Sequence, residues 1–500
     1  MSYYLIGIGG TGAKCLEAFV HLCGAGLLKD SQPVKIMYVD ADVSCGNLTR
    51  TQSAADCYSK AQSIGFSDTG IFKNAIETFS PWSPVGGEGC SNLDDVFQRD
   101  SLVNKSEYKA LGLLYDALFT EQERKTPLDK GFRGHPAIGA AVMGQSMTSE
   151  STEQWKSIEQ QIDSDKDARI FLFASVFGGT GAAGFPTIAK ILKNNLKKDE
   201  EGNLHAKIGG ALILPYFQFP PAPTEEESEM QAKVADFMLN TKSALKYYDE
   251  NGLLGSVFTK IYLMGDNDLT SMKEFSLGSN SQKNDAHFIE LYAALAAFDF
   301  FNKADFDDKA DTPMIARGDD TEETIDKITW DDIPNVCASG NVKDKLAAYA
   351  RFLYAYRNCI LLSLEKCAAA ESEKRSVAWY KDLVEKAGRI DVYNDRYVME
   401  FFRALGDYAE KFFSWWQQII QGNDKRNVEL LNKQLLNANI WQNDTKLDIY
   451  QVVLPVTERK DKLTYKAFWN GLCKHTSKLK STNDSGSEIL MRAAYELCKQ

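Results

Sequence analysis

Arg169-Ile-Phe-Leu-Phe-Ala-Ser-Val176 runs into Phe177-Gly-Gly-Thr-Gly-Ala-Ala-Gly184 and then Phe185-Pro-Thr-Ile-Ala-Lys-Ile-Leu192, and on this stretch the fold turns. The first run is mostly apolar and reads as a buried strand. The glycines permit a tight turn, and a helix follows from about residue 185 to 197. Backbone N–H groups at such a strand-to-helix turn can approach an anion closely. A second unit of the same kind opens the chain. Residues 3–8 read as a buried strand, Gly7-Ile-Gly-Gly-Thr-Gly12 as the turn, and 13–23 as the helix. Its spacing, G-x-G-G-x-G, departs from the dinucleotide fingerprint G-x-G-x-x-G, and alone it also fits a plain turn. Two such loops in one α/β unit exceed the single one of the usual dinucleotide plan. Neither loop carries G-K-[ST], which excludes a P-loop. The phosphates would then be held by backbone dipoles and a metal ion.

Outward from these loops, strand and helix alternate. Short apolar strands are predicted at 35–39, 208–214 and 260–264, with helices at 225–248 and 285–302. Alternation of this kind marks a doubly wound parallel sheet. Residues 44–130 are polar and read as mixed helices and loops. Beyond 305 an acidic loop leads into helices predicted at 343–370, 372–388, 394–421 and 425–438. The run 448–456 is the one convincing strand there, and 474–487 reads as an exposed loop.

The 500 residues exceed one hydrophobic core. The expected division is a nucleotide-binding domain (1–284), a core connecting helix (285–304) and a mostly helical C-terminal domain (305–500). A net charge of −12 argues against nucleic acid as the main partner. No transmembrane run and no basic leader are found. The ten cysteines contain no C-x-x-C pair and read as reduced core thiols, consistent with a cytoplasmic protein.

The order of the motifs resembles the tubulin/FtsZ superfamily, and the overall look resembles its divergent bacterial members. Gly178-Gly-Thr-Gly181 is similar to the G-G-G-T-G-[ST]-G signature, with Phe177 and Ala183 in place of its outer glycines. Residues 131–139, GFRGHPAIG, are similar to the loop facing the γ-phosphate. Asp40-Ala-Asp42 falls where the family places acids near magnesium. Leu214-Pro-Tyr-Phe-Gln-Phe219 resembles the segment near the ribose, and Asp266-Asn-Asp-Leu269 the one whose asparagine meets guanine. The resemblance covers about 300 residues. It implies a tubulin/FtsZ-like fold, a Rossmann-like parallel sheet with helices on both faces, binding GTP or GDP with Mg²⁺. It implies nucleotide contacts from Gly9, Gly10, Thr11, Gly12 and Lys14, from Arg133 and Gly134, from Gly178, Gly179, Thr180, Gly181 and Ala182, and from Asn267 and His287. Asp40 and Asp42 become the expected metal ligands. It also implies assembly with copies of itself, in filaments or oligomers, and GTP hydrolysis completed between subunits. Asp305 and Asp308 are the only echo of the family's inserted acids, and their spacing differs.

The plainer alternatives are structural. Asp40 and Asp42 also suit turns, Arg133 a surface, and His287 an apolar core. A Rossmann-type dinucleotide enzyme is disfavoured by the second loop. A non-polymerising nucleotide sensor in a multi-protein system, such as phage defence, is the remaining alternative, with other proteins meeting the C-terminal domain. A side chain at Gly179 is expected to abolish nucleotide binding and spare the fold.

Overall fold

The computed structural model describes residues 2–85, 91–128, 131–132, 134–148, 153–218, 220, 234–250, 252–266, 268–273, 282–304, 306, 327–421, 426–436, 447–456, 461–475 and 487–499. In chain order the elements that build the site are β1 (Tyr3–Ile8), α1 (Gly9–Cys23), β2 (Val34–Val39), α2 (Gly46–Gln62) and β3 (Ile76–Thr78). There follow α3 (Pro136–Thr148), β4 (Arg169–Ser175), α4 (Gly179–Asn195), β5 (Lys207–Ile213) and β6 (Phe217–Gln218). The last of them are α5 (Val234–Glu250), β7 (Lys260–Met264), β8 (Thr270–Ser271) and α6 (Phe288–Asn302).

Six strands make one sheet in the order β3-β2-β1-β4-β5-β7, every pair parallel. Parallel sheets are covered on both faces, and the strand residues divide accordingly. Tyr3, Leu5, Phe171 and Phe173 enter one core with α1 and α6, while Tyr4, Ile6, Ile170 and Leu172 enter another with α3 and α4. Helix α6 is apolar all round and almost wholly buried, as expected of a helix enclosed on every side.

The chain runs from β1 outward to β2 and β3, then crosses to β4 and continues the other way. The strand order therefore reverses between β1 and β4. In open α/β sheets the crevice at this switch point, beyond the carboxyl ends of the strands, is where ligands bind. Both glycine loops leave from these two strands. The register pairs Ile8 with Val39 and with Ala174, which brings Gly9, Asp40 and Ser175 to one edge.

The C-terminal helices share the first core rather than forming their own. Helices α7 (Val342–Ala355), α8 (Arg396–Gln421) and α9 (Glu488–Lys499) contribute Tyr349, Phe352, Tyr408, Phe412 and Met491 to the apolar cluster that holds α1 and α6. Helix α8 packs along α2.

Several sequence expectations give way here. Residues 448–456 are not a strand. Asp448 accepts a hydrogen bond from Tyr450 N and starts a single 3₁₀ turn, Ile449–Val452, and only Val453 bridges to Leu431. The capping carboxylate outcompetes an extended backbone, as Asp commonly does. Of the helix foreseen over 425–438, the described residues 426–436 hold instead a two-residue strand, Asn427–Val428, and one helical turn, Lys433–Leu436. The helix foreseen over 343–370 is continuous only through a π-helical segment, Tyr356–Ile360. That foreseen over 372–388 breaks into short 3₁₀ and π turns.

Close approach of α1 to β4 depends on Gly12. A Cβ there would lie 2.7 Å from Phe173 O and 2.8 Å from Gly7 C, both backbone atoms that cannot swing aside. Gly12→Ala is expected to cost about 1–3 kcal/mol. Thermal unfolding checks this: a clearly lower midpoint is expected, and an unchanged midpoint would contradict the packing.

Candidate functional site at the sheet switch point

The two glycine loops meet. Gly9 takes φ +73°, which a side chain rarely adopts, and a Cβ on it would lie 3.4 Å from both Gly181 N and Thr180 Cβ. Beyond Gly9 the backbone enters α1 at once, and beyond Gly178 it enters α4. Two helix N-termini, with their unsatisfied amides and positive dipole ends, thus converge on one crevice. Helix starts are earlier than the sequence suggested, because the glycines themselves form the first turn. Gly181 is held down by Ser175: a Cβ would lie 2.5 Å from Ser175 O. Ala182 differs from its neighbours. Its amide already donates to Gly178 O, and its carbonyl accepts from Tyr248 Oη at 2.6 Å.

A third segment closes on the second loop. Phe132 packs so tightly on Gly179 that a Cβ there would lie 2.7 Å from Phe132 Cβ. Substitution at Gly179 would therefore displace Phe132 as well as block the crevice, so some local repacking is expected beside the loss of binding. Gly134 takes φ +77°, and its carbonyl accepts from Asn240 Nδ2 of α5. Arg133 and Asn267, and the acids Asp305 and Asp308, lie outside the described residues.

The acids at the end of β2 are buried. Asp40 Oδ1 accepts from Asp42 N, and Asp42 Oδ1 accepts from Ser44 N and, at 2.6 Å, from Ser44 Oγ. Turn chemistry is thus present. It leaves Asp40 strained electrostatically: burial, with the Asp42 carboxylate adding to it, pushes its pKa up to about 7 against backbone hydrogen bonds that lower it. A carboxylate so desolvated fits a nearby cation, and hard oxygen donors suit magnesium. No cluster of three or more metal-binding side chains occurs among the described residues, so any cation here would take its remaining ligands from water or phosphate. After the turn, Asn47 and Cys45 reach the first loop; a Cβ on Gly10 would lie 3.4 Å from Asn47 Nδ2. Asn47 also accepts from Asn284 N, tying α2 to the entry of α6. Sequence reasoning missed Asn47, though its place five residues past Asp42 was open to view.

Lys14 is paired inside the protein: its Nζ lies 2.5 Å from Glu290 Oε1, with both side chains almost fully buried. The first turn of α6 thus supplies its counter-charge. Removing one partner of such a pair costs about 3–5 kcal/mol. Glu290 also accepts from Tyr216 Oη at 2.6 Å and from His287 N at 2.9 Å. His287 is a helix cap: its Nδ1 accepts from Ile289 N, and its Nε2 lies 3.1 Å from Thr270 Oγ1. Burial, with Lys14 and Arg426 nearby, holds its pKa well below the usual imidazole range. The ring is therefore packed and neutral, and it borders a cavity.

Behind this network lies a cavity of about 190 Å³, bordered by Lys14, Tyr216, Thr270, Lys283, Asn284 and His287 among others. It sits between the β6–β8 pair and the start of α6, one turn along α1 from the first glycine loop. Among the described residues no helix is long and apolar enough to cross a membrane.

No protein-family model and no curated protein matches the chain. The solved structures that show similarity include two CetZ proteins. One is CetZ2 from Haloferax volcanii as a GTPγS-bound protofilament, at 17% identity over 60% of this chain, with a TM-score of 0.28. The other is CetZ from Methanosaeta thermophila, at 14% identity over 59% of this chain, with a TM-score of 0.28. The match spans little more than half of their length, 58% and 52%.

The pKa of Asp40 sets a pH dependence. Its folded value, about 7, lies above the ordinary 3.8, so the native state binds the proton more tightly than the unfolded chain. This group's contribution is therefore most favourable on the acid side and is lost as pH rises through about 7. Without nucleotide or magnesium, Asp40→Asn is expected to stabilise the protein at pH 7.5 and to do so much less at pH 4.5. Urea unfolding at both pH values checks it; a stability difference independent of pH would contradict the assignment.

Proposed function

We propose that this chain is a tubulin/FtsZ-like protein that binds GTP or GDP with Mg²⁺ at the sheet switch point and assembles with copies of itself. The observation that carries this is the meeting of two glycine loops, from adjacent strands β1 and β4, with Gly9 against Thr180 and Gly181. The family's motif order along the first 300 residues supports the same reading. In this reading the amides of Gly10–Gly12 and Gly179–Gly181 hold the phosphates, as preorganised dipoles do without any lysine. Asp40 and Asp42 would hold Mg²⁺, which supplies charge neutralisation at the phosphates when bound. The cavity beside His287 and Thr270 takes the base, and Asn267 distinguishes guanine from adenine, since its amide offers both donor and acceptor.

Competition binding tests the ligand. GTP is expected to bind more tightly than ATP or NAD, and Gly9→Val to weaken GTP at least about tenfold by filling the space between the loops. Tighter binding of NAD would overturn the proposal.

Hydrolysis follows from what the site has. Loop amides and a metal ion can neutralise charge, but phosphoryl transfer to water also needs an oriented nucleophile. In the family that function comes from a neighbouring subunit. GTPase activity per subunit is therefore expected to rise with protein concentration, together with light scattering. Activity strictly proportional to protein at all concentrations would show a complete site in each subunit and remove assembly from the mechanism.

A further inference from the structure

Asp266 and Asp268, just before Thr270 on the cavity wall, are held from the C-terminal half of the chain. Arg426, beyond the end of α8, reaches back to the turn that follows β7. Its Nε donates to Asp266 Oδ2 at 2.8 Å and its Nη2 to Asp266 Oδ1 at 2.5 Å, a two-pronged fork, with Asp268 Oδ2 at 3.4 Å. Asp266 is nearly buried and Arg426 largely so. Asp266 Oδ1 also accepts from Asp268 N, so the same carboxylate shapes the turn and receives the fork. The guanidinium is close enough to His287, on the cavity wall, to help keep that ring uncharged. A second contact comes from the same region: Gln418 Oε1 of α8 accepts from Ala286 N at 3.0 Å, and Ala286 too borders the cavity.

We infer that Arg426 is a specificity-determining residue: its fork on Asp266, together with Gln418 on Ala286, positions the cavity-wall residues Thr270 and Ala286, so that base discrimination belongs partly to the C-terminal half of the chain. This rests on the guanine-nucleotide reading above. The physical reason lies in the geometry of the fork. A planar guanidinium engaging both carboxylate oxygens fixes position and orientation, which a lysine's point charge does not. The forks and hydrogen bonds that place Arg426 and Gln418 go to Asp266, Asp268 and Ala286, so in this reading phosphate binding is left to the loop amides. Discrimination and phosphate affinity should therefore separate on mutation.

The test uses the full chain with three ligands: GTP, ATP and tripolyphosphate, which has no base. Wild type, Arg426→Ala and Arg426→Lys are compared by titration calorimetry. In Arg426→Ala the GTP-over-ATP preference is expected to fall about tenfold or more, because a base-reading site owes its selectivity to fixed polar groups. Tripolyphosphate affinity is expected to stay within about twofold of wild type. Arg426→Lys, which keeps the ion pair and guards against misfolding of the alanine variant, should fall between. An unchanged GTP-over-ATP ratio in both variants overturns the inference. So does an equal loss of GTP and tripolyphosphate, which would mark a general disturbance. A wild type with no preference for GTP over ATP overturns the guanine reading and this inference with it, and that outcome is distinguishable because it is seen before any mutation.

Discussion

Gly12 presses against the carbonyl of Phe173, and Gly9 faces Thr180 and Gly181 across a gap that a single methyl group would fill. These backbone-to-backbone contacts let α1 and α4 start side by side at the point where the strand order reverses. The site depends on that closeness. Two helix N-termini can share one anion only if no side chain separates them. The acids at the end of β2 come to the same edge through strand register, and Phe132, just before α3, lies on Gly179 where α3 packs against α4.

The remaining wall is electrostatic. Lys14 on α1, Glu290 on α6 and Tyr216 beside β6 form a buried polar knot that joins the glycine-loop helix to the central helix. Such a knot is costly unless every member is satisfied, and here the carboxylate receives a tyrosine, a backbone amide and an ammonium. The C-terminal helices lie against the other side of α1 and α6 in one continuous core. Through Gln418 they also reach Ala286 on the cavity rim, and Arg426, beyond α8, reaches Asp266. Anything that shifts α8 is thereby linked to the turn carrying Asp266.

Much of this was legible in the sequence because it is local. The strands at 169–176, 208–214 and 260–264, the two glycine turns and the apolar helix after His287 each carry their signal within a few residues. What was not legible depends on distant partners. The ion-pair partner of Lys14 is Glu290, 276 positions away. Asp448 turned an apolar run into a capped 3₁₀ turn, a competition that hydrophobic pattern does not record. His287 is a cap because Glu290 completes the capping box three residues on. That spacing was visible in the chain, but an apolar helix draws attention to the ring rather than to the backbone. The Arg426 fork joins segments 160 residues apart, and no local rule points to it.

The central claim is that phosphates sit between the two loops, held by backbone amides. Amide hydrogen exchange with and without saturating GTP and Mg²⁺ tests it most directly. Slower exchange is expected at Gly10–Gly12 and at Gly179–Gly181 together, because each donated N–H loses contact with water. Exchange that stays unchanged in both loops while GTP is demonstrably bound would place the nucleotide elsewhere and contradict the account.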